Sequence, residues 1–316
     1  MIRLSVIVPF YNVEKYIEQC IFSLYNQDIP HDQYEVICVD DHSPDGSRAI
    51  VERLQKELTS LLLLLLLLPE NRKLGGARNE GLKVARGKYI WFVDSDDYVA
   101  PNCFKALLDA AEQSQVDMLH FDYFSVCNEK VQAMVQPYEE DGVVSGEDFF
   151  VDESHELWYQ RCPVVWRRLH RRDFLLDNQL YFVEKMMYED TDLSMCMFAL
   201  AKRVKHMDYA AYYYRLNPES ITHRKRTAET MMFTIMQQCR CLRAYNMVTT
   251  ERFRSIISKY IHSQLVVLRS EIKSLSNRDK LQYYKLLRNC DISALKGFCN
   301  WRTWLAIKYG ITCFVK

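Results

Sequence analysis

The chain has 316 residues, 49% of them hydrophobic, so it can bury a large core and is long enough for more than one domain. Its 41 basic and 41 acidic residues cancel, which leaves no global field for a nucleic-acid partner. Eleven cysteines, an odd number with no Cys-x-x-Cys pair, argue against a disulfide framework or a zinc site and suit a reducing cytosol with free thiols.

Met1-Ile2-Arg3-Leu4-Ser5 runs directly into a strand-like segment without the charged start and long apolar stretch of a secretory leader, which predicts a cytoplasmic protein. Leu4-Ser5-Val6-Ile7-Val8 reads as the first strand. Tyr16, Ile17, Cys20, Ile21 and Leu24 then follow a helical period, with Asn12 placed to cap that helix. A second unit repeats the pattern: the strand Tyr34 to Val39 ends in Asp40-Asp41, and after a turn from His42 to Gly46 a helix carries Ile50, Val51, Leu54 and Leu58 on one face. Leu61 to Leu68 is a homopolymer from which no chemistry is read. It is far short of the roughly 20 residues that span a bilayer, and a strand fits that place. A third helix, from about Gly76 to Ala85, leads past Gly87 into the apolar run Lys88 to Val93. Strands alternating with helices in this way predict a mainly parallel sheet with right-handed crossovers.

The run ends in Asp94-Ser95-Asp96-Asp97. If Asp94 to Asp96 stay extended, the period of two turns both carboxylates to one side, where like charges repel unless a cation is shared. The alternative is a turn, with Asp97 capping a helix that Pro101 opens. Three loops, Pro9-Phe10-Tyr11-Asn12, Asp40-Asp41 and Asp94 to Asp97, each follow a strand at its carboxyl end, where open α/β sheets bind ligands.

LSVIVPFYN, VDDHSPDGS, ENRKLGGARN and FVDSDD, in that order, resemble the nucleotide-sugar-binding half of family 2 glycosyltransferases. Val165 to Phe174, Tyr188-Glu189-Asp190-Thr191-Asp192 and Tyr214 to Thr222 resemble that family's acceptor-side half. The resemblance covers roughly residues 1 to 225 and implies a GT-A fold, an α/β mixed sheet flanked by helices, followed by a helical extension. It divides the chain into a donor half, residues 1–115, an acceptor half, 116–225, and a helical region, 226–316.

The resemblance implies inverting transfer of a sugar from a nucleoside diphosphate, UDP by preference, to a hydroxyl of a glycan or lipid-linked glycan, with Mg²⁺ or Mn²⁺. A hard cation held by carboxylates stabilises the departing diphosphate. Asp96 is then the direct metal ligand, Asp94 binds ribose or metal, and Ser95 belongs to the same nucleotide-sugar loop. Pro9, Phe10, Tyr11, Asn12, Asp40 and Asp41 match positions that hold base and ribose. Arg78 lies near the diphosphate, and Gly75-Gly76 lets the backbone approach the nucleotide. His42 and Lys73 stand where glycine is common in the family, which bears on the shape of those two loops.

Inverting transfer needs a general base, and Glu189-Asp190 matches the family's motif, with Asp190 the base and Glu189 the second choice. Acids opening a helix would look the same. His223 is a candidate late metal ligand. Arg167, Arg168, His170, Arg171 and Arg172 read as a phosphate-binding cluster or a solvated helix face. Residues 281–316 carry Lys285, Arg288, Lys296, Arg302, Lys308 and Lys316 among Trp301, Trp304, Tyr309 and Phe314. That suits either peripheral contact with an anionic membrane or packing on the enzyme. The absence of Gly-x-Gly-x-x-Gly after the first strand excludes a dinucleotide oxidoreductase. A sugar nucleotidyltransferase and a non-catalytic nucleotide-sugar scaffold are the competing readings.

Overall fold

The computed structural model describes residues 1–128, 130–135, 142–151, 164–216 and 227–309. The strands are β1 (Leu4–Phe10), β2 (Tyr34–Asp40), β3 (Leu62–Leu67), β4 (Tyr89–Phe92), β5 (Tyr98–Val99), β6 (Met118–Cys127), β7 (Lys130–Met134), β8 (Arg168–Arg171) and β9 (Val204–Arg215). Among the described residues they form one mixed sheet in the order β3-β2-β1-β4-β8-β6-β9-β5, with β7 paired to β6. β3, β2, β1 and β4 are parallel, joined through α1 (Ile17–Tyr25), α2 (Ser47–Glu57) and α3 (Lys73–Val84). The leucine run forms β3 on the edge, as its position predicts. β8 is antiparallel to both β4 and β6, and it carries the sheet from the first half into the second.

Mostly apolar strands are stable here because helices cover them: β1, β2 and β4 are buried along their whole length. Trp91 anchors the core, edge-on to Phe121, with its indole N–H donating to the Trp166 carbonyl at 2.7 Å. Where the chain enters β4, a β-carbon on Gly87 would sit 2.4 Å from the backbone nitrogen of Ser5, so only glycine allows this approach of two backbones.

Some local expectations give way to tertiary contacts. The first helix begins at Ile17 rather than after Asn12, which instead adopts a left-handed backbone, φ 57°. The third begins earlier than Gly76, at Lys73. Asp97 caps no helix, because the next one, α4 (Phe104–Gln113), starts only after β5.

The chain divides into two compact units. The first takes in Met1–Phe149, Val164–Met186 and Ala201–Pro218 and contains the sheet; the second takes in Phe150–Pro163, Met187–Leu200 and Glu219–Lys316. Helices of the second unit run over Glu189–Leu200, Ala228–Met247, Glu251–Ser274, Asn277–Leu287 and Trp301–Tyr309. Thr227, Thr250 and Ser276 cap three of them by accepting a backbone N–H three residues on. No helix among the described residues is long and apolar enough to cross a membrane. The described cysteines are free thiols.

Candidate functional site

Parallel pairing sets Phe10 beside Asp40 and Ile7 beside Phe92, so β1, β2 and β4 end at one edge and their loops leave the sheet together. The first two loops are clasped by hydrogen bonds. The Asp41 N–H donates to the Phe10 carbonyl at 3.0 Å, Val13 N–H to Ser47 Oγ at 2.9 Å, and Glu14 N–H to Asp45 Oδ2 at 3.0 Å; Glu14 in return accepts from Gly46 N–H at 2.9 Å. Pro9 and Phe10 are buried in β1, while Tyr11 is about half exposed at the loop. Asp40 accepts from Ser43 N–H at 2.8 Å, and Asp41 accepts from Arg72 N–H at 2.6 Å. Burial pushes the Asp41 carboxyl above its usual range, and the backbone N–H groups of Arg72 and Lys73 oppose that shift. His42 and Lys73, which replace common glycines, both take left-handed backbones, φ 66° and 62°. The loops therefore keep the conformation glycine favours, at a cost of about 1–2 kcal/mol per residue.

At the start of α3, a β-carbon on Gly76 would meet Arg72 Cβ at 2.5 Å, so the helix entry itself requires a bare residue there. Arg78, only 2% exposed, donates to Asp94 Oδ1 at 2.7 Å, and its guanidinium lies 5.1 Å from the centre of the Phe182 ring. This holds one acid of the Asp94–Asp97 turn beside a fixed positive charge.

The other acids of the turn are held from β9. Asp97 is buried. It accepts from the Tyr212 hydroxyl at 2.8 Å and from Arg215 N–H at 2.7 Å, and Tyr212 Oη accepts from Asp94 N–H at 3.1 Å. The Arg215 guanidinium donates to the Asp96 carbonyl and to Gln19 Oε1 and lies over the Tyr98 ring. Burial pushes the Asp97 carboxyl well above its usual range, with Asp96 and Asp94 adding repulsion. Burial, with repulsion from Asp94, raises Asp96 to about 6. Asp94 and Asp96 supply hard oxygen donors, and the repulsion stored in the turn is what a shared divalent cation would relieve, so these residues fit Mg²⁺ or Mn²⁺. Ser95 is buried within the turn.

The first unit thus brings together Pro9 to Asn12, Asp40, Asp41, Gly76, Arg78 and Asp94 to Asp96. Glu189 and Asp190 lie in the second unit and open the helix Glu189–Leu200. Glu189 is buried, Asp192 makes a two-pronged ion pair with Arg240 at 2.9 and 2.7 Å, and Asp190 is the least buried of the three acids. His223 lies outside the described residues. The buried part of the basic cluster is neither a solvated helix face nor an open phosphate site, while Arg172 opens a short helix with its side chain 33% exposed. Arg167, Arg168 and His170 are at most 1% exposed around β8, in the middle of the sheet, and Arg171 pairs with Asp117 at 2.7 Å. In the tail, Trp304 is buried and the Tyr284 hydroxyl donates to the Ala306 carbonyl at 2.8 Å, so this indole packs within the helical unit. Lys285, Arg288 and Lys296 are exposed.

A second polar cluster escapes the sequence reading. His120 and Asp122 on β6 and His206 and Asp208 on β9 form two His-x-Asp pairs, with His120 directly opposite His206. The two Nδ1 atoms lie 2.9 Å apart, and His206 Nε2 lies 3.1 Å from Asp208 Oδ1 and 3.7 Å from Asp122 Oδ1. The repeated tripeptide pattern is the signal that was available.

The family profile for glycosyl transferase family 2 matches residues 5–203. Uncharacterized glycosyltransferase EpsJ of Bacillus subtilis is 36% identical over 224 residues, 69% of this chain and 62% of that protein. The poly(ribitol-phosphate) beta-N-acetylglucosaminyltransferase TarS of Staphylococcus aureus is 32% identical over 224 residues, 69% of this chain but 36% of that protein. The matched region thus spans less than two thirds of either relative. The TarS 1–349 structure in complex with UDP-GlcNAc superposes with a TM-score of 0.66 at 23% identity, covering 100% of this chain and 93% of that one. The mannosyltransferase PcManGT of Pyrobaculum calidifontis, in complex with GDP-Man and Mn²⁺, superposes at 0.57 with 18% identity, covering 97% and 84%. The sheet is that of the GT-A fold, and the chain belongs to glycosyl transferase family 2.

Proposed function

We propose that the protein transfers a hexosyl or N-acetylhexosaminyl group from a UDP-sugar to a hydroxyl of a glycan or lipid-linked glycan, with inversion and with Mg²⁺ or Mn²⁺ bound at Asp96 and Asp94. The observation that carries this reading is the acid turn at the carboxyl end of β4, where Arg78 holds Asp94 and β9 holds Asp97, leaving Asp96 to ionise against its burial and against repulsion from Asp94. The TarS complex with UDP-GlcNAc supports a uridine donor, and the PcManGT complex supports a cation in such a fold.

When bound, the cation supplies charge neutralisation for the leaving diphosphate. The remaining roles belong to the chain. Arg78 sets Asp94 toward ribose or metal, and the Asp40–Asp41 clasp receives base and ribose. Asp190 takes the proton from the acceptor hydroxyl as its oxygen bonds to the anomeric carbon and the carbon–phosphate-oxygen bond breaks, so one catalytic carboxylate suffices. Asp190 takes this role ahead of Glu189 because Glu189 is buried and Asp190 is not. Residues 1–115 form the donor half and 116–225 the acceptor half. The exposed Lys285, Arg288 and Lys296 hold the helical region against an anionic leaflet where a lipid-linked acceptor resides.

Calorimetric titration with UDP and with GDP, each with and without Mn²⁺, tests the reading. Wild type should bind one of them at least tenfold more tightly with Mn²⁺, and Asp96→Asn should lose that gain. Metal-independent binding of both, or gain retained in the variant, would remove the cation from Asp96.

A further inference from the structure

The cluster on β6 and β9 has the makings of a second cation site, separate from the donor loops. His120 leaves the strand on the side opposite Phe121, which packs against Trp91 in the core. The pairing of β6 with β9 jumps from Phe121 opposite Met207 to Asp122 opposite Ala210, so Asp208 falls within an irregularity of the ladder. Such a bulge re-aims side chains, and here it brings two carboxylates from different strands to one imidazole nitrogen. His206 Nε2, Asp122 Oδ1 and Asp208 Oδ1 all lie within 4.8 Å of one another. The two nitrogen–oxygen separations, 3.1 and 3.7 Å, straddle the roughly 3.4 Å edge of a tetrahedron with bonds of about 2.1 Å.

We propose that His206, Asp122 and Asp208 bind a divalent cation of the Zn²⁺ class, with the remaining position open to solvent beside the exposed Asp208. One imidazole and two carboxylates suit a borderline ion better than Mg²⁺. The surroundings supply what a ligand set needs. His120 Nδ1 shares a hydrogen bond with the other nitrogen of His206, at 2.9 Å, and so fixes the orientation of the ring. Arg167 Nη2 lies 3.7 Å from Asp122 Oδ1 and sets a fixed positive charge beside that fully buried carboxylate. The cation ties β6 to β9 at the bulge, and β9 goes on to carry Tyr212 and Arg215, which hold Asp97. Loading this site therefore stiffens the strand that supports the acid turn.

The decisive variant is Asp208→Asn, because the Asp208 side chain is 71% exposed and its replacement leaves the core untouched. Full-length wild type, Asp208→Asn, His206→Gln and Asp96→Asn are stripped with a chelator and dialysed against graded Zn²⁺ without nucleotide. Bound metal is counted by mass spectrometry, and thermal unfolding is followed with and without Zn²⁺. The cysteines are common to all four proteins, so differences report the cluster. Wild type and Asp96→Asn should hold a Zn²⁺ that Asp208→Asn binds at least tenfold more weakly, with a Zn²⁺-induced rise in Tm that the variant lacks. Equal uptake by wild type and Asp208→Asn, or loss in Asp96→Asn alone, would overturn the proposal.

Discussion

Replacing Asp96 by Asn should stabilise the metal-free protein at neutral pH while abolishing its metal-dependent nucleotide binding. The sign follows from the carboxyl, which is raised in the fold from 3.8 to about 6 by burial and by Asp94. A folded-state value above the unfolded one means that the acid is tolerated when protonated and penalised when ionised. Its contribution is therefore fully present below about pH 4 and lost as the pH rises through about 6. Each pKa unit corresponds to about 1.4 kcal/mol, which gives about 3 kcal/mol for Asp96, and its partial exposure to solvent trims this to about 2. Urea unfolding followed by tryptophan fluorescence, in chelator, at pH 4.5, 6 and 8, reads this directly. The variant should exceed wild type by less than about 1 kcal/mol at pH 4.5 and by about 2 kcal/mol at pH 8. Adding Mn²⁺ with UDP should restore the wild type and leave Asp96→Asn unmoved. A variant equal to or weaker than wild type at every pH would refute the account of Asp96 as a carboxylate ionised against burial and repulsion.

Asp190→Asn should lower turnover about 100-fold or more with donor affinity little changed, measured as kcat against calorimetric affinity; near-normal turnover would move the role to Glu189. His42→Gly relieves a left-handed backbone at an exposed site and should raise stability by about 0.5–1 kcal/mol in urea, whereas a loss would show that the imidazole has work in the loop. Changing Lys285, Arg288 and Lys296 together to Gln in the full chain should remove about 3 kcal/mol of attraction to anionic liposomes in flotation, and equal binding before and after would assign these residues to solvent alone.

The loop edge of the parallel strands was readable from sequence because its physics is local. β1, β2 and β4 are mostly apolar runs, each leading into polar residues, and the parallel alternation places those ends together without any long-range information. Asp96 and Arg78 inherit their positions from that pattern. Other features depend on pairings that no window of sequence contains. Arg167 and Arg168 look solvated by composition, yet they sit in mid-sheet because β8 returns between β4 and β6 and surrounds them with Asp122, Tyr123 and backbone carbonyls. His120 and His206, 86 residues apart, meet only through the β6–β9 ladder. Trp304 among lysines fits a lipid interface and a helical core equally well, and its burial against neighbouring helices is a tertiary outcome. His42 and Lys73 show the reverse case, in which a glycine-favoured loop shape survives the loss of glycine because the Asp41–Arg72 and Asp41–Phe10 hydrogen bonds over-determine it.

The return of β8 also governs the order in which the chain can be built. When β4 leaves the ribosome, β1 is already present to pair with one of its sides, but the partner for the other side is roughly eighty residues away. At ~5–20 residues per second it follows about 4–16 s later. For that interval the nascent sheet presents the unpaired backbone of Tyr89, Ile90 and Trp91 to anything that can add a strand. A holding chaperone, or a pause in translation before β4, would shield the edge until Leu169 and His170 arrive to close it.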